Sequence, residues 1–343
     1  MFEFLQQLQP SGKPGPFATL LSSVTPDSLK PSYRFTHWVP GSTPLSTTTE
    51  VVTAIATYLV IIFGGRELMR NRAPFKLQFL FRVHNFLLSA GSAILLALML
   101  EEIVPIFFKN GPFYSICNTR AFTPRLVSYY IINYYFKYVE LIDTVFLVLK
   151  KKKLGRVVDH WDMFAAFLHV FHHAATAILC YNQLEGKTSV QWVVITLNLL
   201  VHVIMYYYYY ATAGGAKIWM ISAPQWKKYL TTMQITQFVI DLFVTYFASY
   251  THFAMVRFPF LPNMGDCAGS ESAALFGTGL LTSYLFLFIA FYRATYKKAA
   301  GDKAEKSKRA VAQAAGDIRG SANSKVIRQD NRGVAVITEI GDE

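Results

Sequence analysis

The feature that most restricts this chain is a series of seven apolar stretches, near Val51–Met69, Leu77–Leu100, Leu126–Leu149, Trp161–Tyr181, Val190–Ala211, Tyr229–Ser249 and Ala274–Tyr292. Each approaches the roughly 20 residues that a helix needs to cross a hydrocarbon core. In lipid the backbone must satisfy its own hydrogen bonds, so stretches of this kind are read as helices. The expected fold is an all-α membrane protein of about seven transmembrane helices, a bundle or barrel. Composition agrees: of 343 residues, 53% are hydrophobic and 16% charged, where a soluble domain carries about a quarter charged. The lipid bilayer is therefore the first expected partner.

Orientation follows from the short loops, because basic loops stay cytosolic. Arg66, Arg70, Arg72 and Lys76 follow the first stretch, Lys150, Lys151, Lys152, Lys153 and Arg156 the third, and Lys217, Lys227 and Lys228 the fifth. The alternate loops hold Lys109, Arg120 and Arg125, then Lys187, then Arg257. Met1 is thus expected on the lumenal side and the C-terminus in the cytosol. The net charge of +12 is largely this topology signal and not a nucleic-acid footprint, which needs basic residues on a soluble face. No basic n-region followed by a small-residue cleavage site is present, so no removable signal peptide is expected.

Three regions are expected: a lumenal N-terminal segment over 1–48, a seven-span membrane domain over 49–296, and a mobile cytosolic tail over 297–343. The tail is rich in Lys, Ala, Asp, Glu and Ser and cannot bury enough apolar area to offset its chain entropy. It ends Gly341-Asp342-Glu343, which is neither a KDEL-type nor a dilysine address. Cys117 and Cys267 both fall on the expected lumenal side, where oxidising conditions permit a disulfide, leaving Cys180 over.

Ionisable groups inside spans are costly and are functional candidates by default. The third stretch holds Lys137, Glu140 and Asp143 with Thr144, the fourth His169, His172 and His173, the fifth Asn198 and His202 with Tyr206, and the sixth Gln234, Gln237 and Asp241. Residues three or four apart share a helix face, so each of these spans carries one polar stripe. At about 1.5 Å per residue the stripes all lie roughly 10–20 Å inward from the basic ends of their helices. Stripes at one depth describe a polar chamber open towards the cytosol.

The run His169-Val-Phe-His172-His173 has two chemistries open to it. As a metal box it needs further clusters, as in membrane di-iron desaturases and hydroxylases. The other histidines, His37, His84, His160, His202 and His252, are scattered singly, so the ligand count falls short and no metal is expected. As a nucleophile or base, imidazole needs no metal. A non-enzymatic seven-span receptor or transporter accounts for the span count but not for the histidine cluster.

The segments Lys137-Tyr-Val-Glu140-Leu-Ile-Asp143-Thr144, His169-Val-Phe-His172-His173, Asn198-Leu-Leu-Val-His202-Val-Ile-Met205-Tyr206-Tyr-Tyr-Tyr209 and Thr231-Thr-Met-Gln234-Ile-Thr-Gln237 together resemble the ordered motif set of the ELO family of very-long-chain fatty acid elongases. The resemblance covers roughly residues 50–295 and, in the style of Ala174–Leu184, is closest to fungal members. One departure is Met220–Gln225, inserted between Trp219 and Trp226 in an expected cytosolic loop. The resemblance implies a 3-ketoacyl-CoA synthase of the endoplasmic reticulum that condenses acyl-CoA with malonyl-CoA and releases carbon dioxide and CoA, without metal or redox cofactor. Every cysteine is expected at or beyond the lumenal end of a span, so for that reaction an imidazole is expected to hold the acyl group: His172 as nucleophile, His202 and Asn198 at the enolate of malonyl-CoA, and His169 and His173 as tuning groups. Lys137, Glu140, Asp143, Tyr206, Tyr209, Gln234 and Gln237 are then expected around the substrates. Association with the ketoacyl reductase, dehydratase and enoyl reductase of the cycle is implied, and a homodimer stays open.

Overall fold

A computed structural model describes residues 14–30, 32–151, 160–213 and 217–297, together with 328–329 and 335–336. Among the described residues seven long helices appear: α1 (Thr48–Met69), α2 (Gln78–Asn110), α3 (Pro124–Leu149), α4 (His160–Glu185), α5 (Gln191–Ala213), α6 (Lys217–Arg257) and α7 (Glu271–Tyr292). Their boundaries are written locally. Thr47 and Glu50 form a reciprocal capping box at the start of α1, each side chain accepting from the other's backbone N–H. At the start of α3 the Thr123 hydroxyl accepts from Leu126 N, with Pro124 at the first helical position. Gly111, at φ +86°, ends α2 in a conformation that glycine adopts without strain.

Five of these helices are long and apolar enough to cross a membrane: α1, α2, α5, the part of α6 from Gln225, and the helix that begins at Glu271. The seven spans expected from apolar stretches are not all confirmed. Of the two outside that set, α3 carries the Lys137, Glu140 and Asp143 stripe, so residues that make the chamber also lower the apolarity of that wall. A second difference concerns Met220–Gln225. The expected loop is helical backbone, because α6 runs unbroken over 41 residues from Lys217 to Arg257.

The helices close into a ring. α3 packs on α2, α2 along its length on α5, α5 on α6, and α4 on α3. The gap between α4 and α6 is filled by α7 through Leu168, Leu179, Phe238, Leu242, Leu281, Tyr284 and Phe288. α1 stands outside, against α3 and α4. Large apolar side chains point away from the ring: Val60 is 72%, Phe79 76% and Phe243 75% exposed, an outer surface that water would not tolerate and lipid covers.

α2 extends past its apolar stretch because its acidic end has partners. Glu101 accepts from the backbone N–H groups of Phe17 at 2.6 Å and Ala18 at 3.0 Å, capping the short helix Pro16–Val24. Glu102 accepts from Thr123 at 2.8 Å and Arg125 at 2.9 Å. The segment before α1 is thereby tied down, helped by Ser128 Oγ donating to Thr36 O and Tyr134 Oη to Leu45 O. The Lys152, Lys153 and Arg156 part of the basic loop and most of the 297–343 tail lie outside the described residues. Within the tail, Arg328–Gln329 and Ala335–Val336 pair antiparallel.

Cys117 and Cys267 are bonded, closing 150 residues of chain. Ala268 N also donates to Cys117 O at 2.8 Å, and Ser189 Oγ to Ile116 O at 2.5 Å, so three connecting segments are gathered at one end of the ring. In the chain-entropy view a loop of this length makes the bond worth about 5 kcal/mol. Cys117→Ser, or reduction, should lower the melting temperature in detergent. A melt insensitive to both would show that the crosslink carries no stability.

Candidate active site

The core of the site is a closed circuit between α3 and α5. Lys137 Nζ donates to Glu140 Oε1 at 2.9 Å and to Asn198 Oδ1 at 2.8 Å. Asn198 Nδ2 lies 3.3 Å from His202 Nε2, and His202 Nδ1 lies 3.2 Å from Glu140 Oε1. Donor inventory orders the whole circuit. An ammonium can only donate, so Asn198 turns its oxygen to Lys137 and its N–H to His202 Nε2, which must accept. The imidazole proton then resides on Nδ1, facing the Glu140 carboxylate; this tautomer is assigned from the partners. Lys137 is 2%, Glu140 5% and His202 6% exposed, so water takes little part and each charge depends on the others.

A second cluster lies one turn along α3. Asp143 accepts from Tyr206 Oη at 2.7 Å, and its other oxygen lies 2.9 Å from His84 Nε2. His84 belongs to α2, so Asp143 joins three helices. Thr144, on the shared face read from spacing, turns instead to α1, where it accepts from Tyr58 Oη at 2.8 Å.

The histidine run divides. The His169 and His173 rings lie with centroids 4.4 Å apart and their planes tilted by 44°. The His172 ring stands nearly perpendicular to that of His173 and enters an aromatic box, with Tyr284 at 4.6 Å, Phe288 at 5.6 Å and Phe238 at 6.4 Å between centroids. Its Nδ1 is buried without a partner among the described residues. It remains within Coulombic reach of Lys137, Glu140 and His202. The His172 ring thus lies apart from the tilted His169–His173 pair, and the di-iron alternative is not favoured.

On α6, Gln237 Nε2 donates to Asp241 Oδ2 at 3.1 Å, while Gln234 Nε2 points to Met205 Sδ at 3.6 Å. Tyr209 is 37% exposed, its ring 6.3 Å from that of Tyr206, and it is the most exposed of the residues singled out from sequence. Beyond the aromatic box, Thr176 Oγ1 and Tyr284 Oη meet at 3.0 Å. One turn further, a cavity opens among α3–α7, walled by Leu179, Cys180, Val194, Thr245 and Leu281 and floored by the Cys267–Glu271 segment.

The stripes read from spacing thus bring together Lys137, Glu140, Asn198 and His202 in one circuit, and Asp143 with Tyr206 in another. Spacing missed His84, although an ionisable group inside the Leu77–Leu100 stretch was a signal of the same kind as the others. It also missed Tyr284, for which an aromatic residue in an apolar span gave no signal.

The model of the GNS1/SUR4 family, ELO, matches residues 43–304. "Putative fatty acid elongase 1" of Schizosaccharomyces pombe is 50% identical over 267 residues, 78% of this chain and 75% of the relative. "Putative fatty acid elongase 2" of the same organism is 42% identical over 303 residues, 88% of this chain and 78% of the relative. "Very long chain fatty acid elongase 4" of Homo sapiens is 28% identical over 306 residues, 86% of this chain and 88% of the relative.

The circuit has a mechanical consequence. Lys137→Met strands the Glu140 carboxylate between helices and should cost about 3–5 kcal/mol. Adding Glu140→Gln should recover most of that loss, read as detergent melting curves of the single and double variants. A single variant as stable as the parent would show that the ion pair does not hold α3 to α5.

Proposed function

Because the chain belongs to the ELO family and is a fatty acid elongase, a condensing acyltransferase of the membrane, we propose that it joins acyl-CoA to malonyl-CoA through an acyl-histidine intermediate on His172. The observation that carries this reading is the placement of two imidazoles: His202 lies within the circuit, its nitrogens 3.3 Å from Asn198 Nδ2 and 3.2 Å from Glu140 Oε1, whereas the His172 ring stands apart from it in the aromatic box of Tyr284, Phe288 and Phe238, with Tyr284 one turn from the cavity-lining Leu281. A neutral imidazole nitrogen attacks the thioester carbonyl carbon, the C–S bond breaks, and the departing CoA thiolate takes up the proton that the imidazolium loses. Malonyl-CoA then loses carbon dioxide, its electron pair forming an enolate. The enolate carbon attacks the acyl group, the C–N bond breaks, and the departing imidazole nitrogen takes up one proton from water, so that 3-ketoacyl-CoA leaves behind a neutral His172.

The circuit supplies the donors for the enolate oxygen. Lys137 has a third N–H and Asn198 Nδ2 a second one beyond those engaged within the circuit. His202 acts by accepting from Asn198 and so holding that amide in register. His169 and His173 orient and tune His172, and Tyr206, Tyr209, Gln234 and Gln237 contact the thioester and pantetheine. The elongase uses no metal or redox cofactor, since every step is proton or acyl transfer among these groups.

The CoA phosphates cannot enter the bilayer and stay at the basic end of the ring, near Arg66, Arg70, Lys150, Lys151, Lys227 and Lys228. The acyl tail threads past His172 into the cavity at the disulfide end. α3 and α4 cross the membrane with the other five helices, their polar residues facing the chamber, which makes seven spans. The membrane is that of the endoplasmic reticulum, with Met1 lumenal and Glu343 cytosolic, where the ketoacyl reductase, dehydratase and enoyl reductase receive the product and a homodimer can form.

Acyl-CoA alone should release about one equivalent of free CoA per active site, and the intact-protein mass should rise by one acyl group. His172→Ala should abolish both signals, whereas His202→Ala should keep acylation and lose condensation with malonyl-CoA. Acylation surviving His172→Ala would remove the nucleophile assignment while leaving the family intact. Orientation is checked separately by inserted glycosylation acceptors: one near Lys187 should be modified and one near Lys151 should not, and the reverse pattern would invert the topology.

A further inference from the structure

The cavity beyond His172 is not lined as a passage for a plain hydrocarbon. Tyr130 Oη, Asn133 Oδ1 and Thr278 Oγ1 are buried and find no hydrogen-bond partner among the described residues, and all three residues line this one cavity. They are 1%, 2% and 7% exposed, so bulk water does not serve them. Tyr130 and Asn133 are three residues apart on α3 and share a face, while Thr278 is on α7. At about 1.5 Å per residue, all three lie roughly 10 Å in from the helix starts Pro124 and Glu271, on a common level. Asn133 Nδ2 already points to Cys180 Sγ at 3.7 Å, which leaves Oδ1 as an acceptor in a cavity that two hydroxyl-bearing residues, able to donate or accept, also line. Orphaned polar atoms are rare in native interiors, and an alkyl tail would leave three of them unpaired together.

We propose that this compartment recognises a hydroxyl group carried on the acyl chain, so that hydroxylated fatty acyl-CoA is a substrate class of this enzyme; the proposal rests on the elongase reading. One aliphatic hydroxyl complements the set, since it donates to Asn133 Oδ1 and accepts from Tyr130 or Thr278. A carboxylate does not complement it: no Lys or Arg lines the cavity, and Asn133 Oδ1 would face a second acceptor. The route from the reacting centre is short. Leu179 and Leu281, both lining the cavity, lie within a turn of Thr176 and Tyr284, which border His172.

The test uses the full-length, detergent-solubilised protein with malonyl-CoA and a set of acyl-CoA thioesters of one chain length: the unsubstituted chain, and chains bearing a hydroxyl at successive carbons. One position or two adjacent ones should be elongated with a kcat/KM at least equal to that of the unsubstituted chain, and the remaining positions at least tenfold worse, because a hydroxyl in an apolar wall loses its water unpaired. Asn133→Leu combined with Thr278→Val should lower the ratio of hydroxylated to unsubstituted kcat/KM at the favoured position by at least tenfold. Each ratio is taken within one preparation, so a loss of folded protein cancels. Rejection of the hydroxyl at every position, or a ratio unmoved in the double variant, would overturn the proposal and leave the three groups to ordered water. Elongation of the unsubstituted chain in the same preparation keeps the elongase reading in either case, whereas its absence would overturn both.

Discussion

Everything in this bundle is arranged around an ammonium and a carboxylate that have been taken out of water. Lys137 and Glu140 sit one helical turn apart on α3 at 2.9 Å, where transfer from water costs several kcal/mol per ion even after the protein relaxes. Pairing alone does not offset that cost, because each ion has more hydrogen-bonding capacity than one partner can use. The circuit through Asn198 and His202 takes up part of the remainder, and it does so with one consistent assignment of donors and acceptors. α5 is therefore obliged to meet α3 at one register, and the amide and imidazole on it are held without freedom to turn.

α3 is the hub for the same reason. Asp143 reaches α2 through His84 and α5 through Tyr206, Thr144 reaches α1 through Tyr58, and Asn133 reaches α4 through Cys180. Tyr134 and Tyr135 hold the segment before α1 through the carbonyls of Leu45 and Pro44. A helix so occupied with polar partners is too polar to pass as a membrane span by composition, yet its polar groups are spent inside the ring. The apolar burden passes to the outer faces of α1, α2 and α6, where Val60, Phe79 and Phe243 point outward.

The ring also separates two environments along its axis. Towards the basic end lie ionisable groups in closed circuits; towards the disulfide end lies a cavity whose exposed surface is mostly apolar, floored by the segment that Cys267 anchors to Cys117. His172, enclosed by Tyr284, Phe288 and Phe238, stands at the boundary. Polar recognition of a CoA thioester and apolar burial of its tail make opposite demands on their surroundings, and one short segment of α4 serves both by facing each way.

Periodicity and the cost of burying charge are written into the chain itself. Apolar runs dictate long helices, and residues three or four apart on one helix share a face whatever surrounds them, so the stripes of α3, α4, α5 and α6 were legible before any fold. Which stripe meets which was not legible. That Lys137 closes a circuit with Asn198 rather than with Gln234, that Thr144 turns to α1, that His172 leaves its two neighbours for an aromatic box, and that His84 joins Asp143 are all matters of helix rotation and neighbour order. Spacing along a chain carries no record of those, because rotation about a helix axis is decided by the packing of every other helix in the ring. For the same reason Tyr130, Asn133 and Thr278 look ordinary in the sequence, and it is the closed ring that brings them to one cavity with their hydrogen bonds unmade.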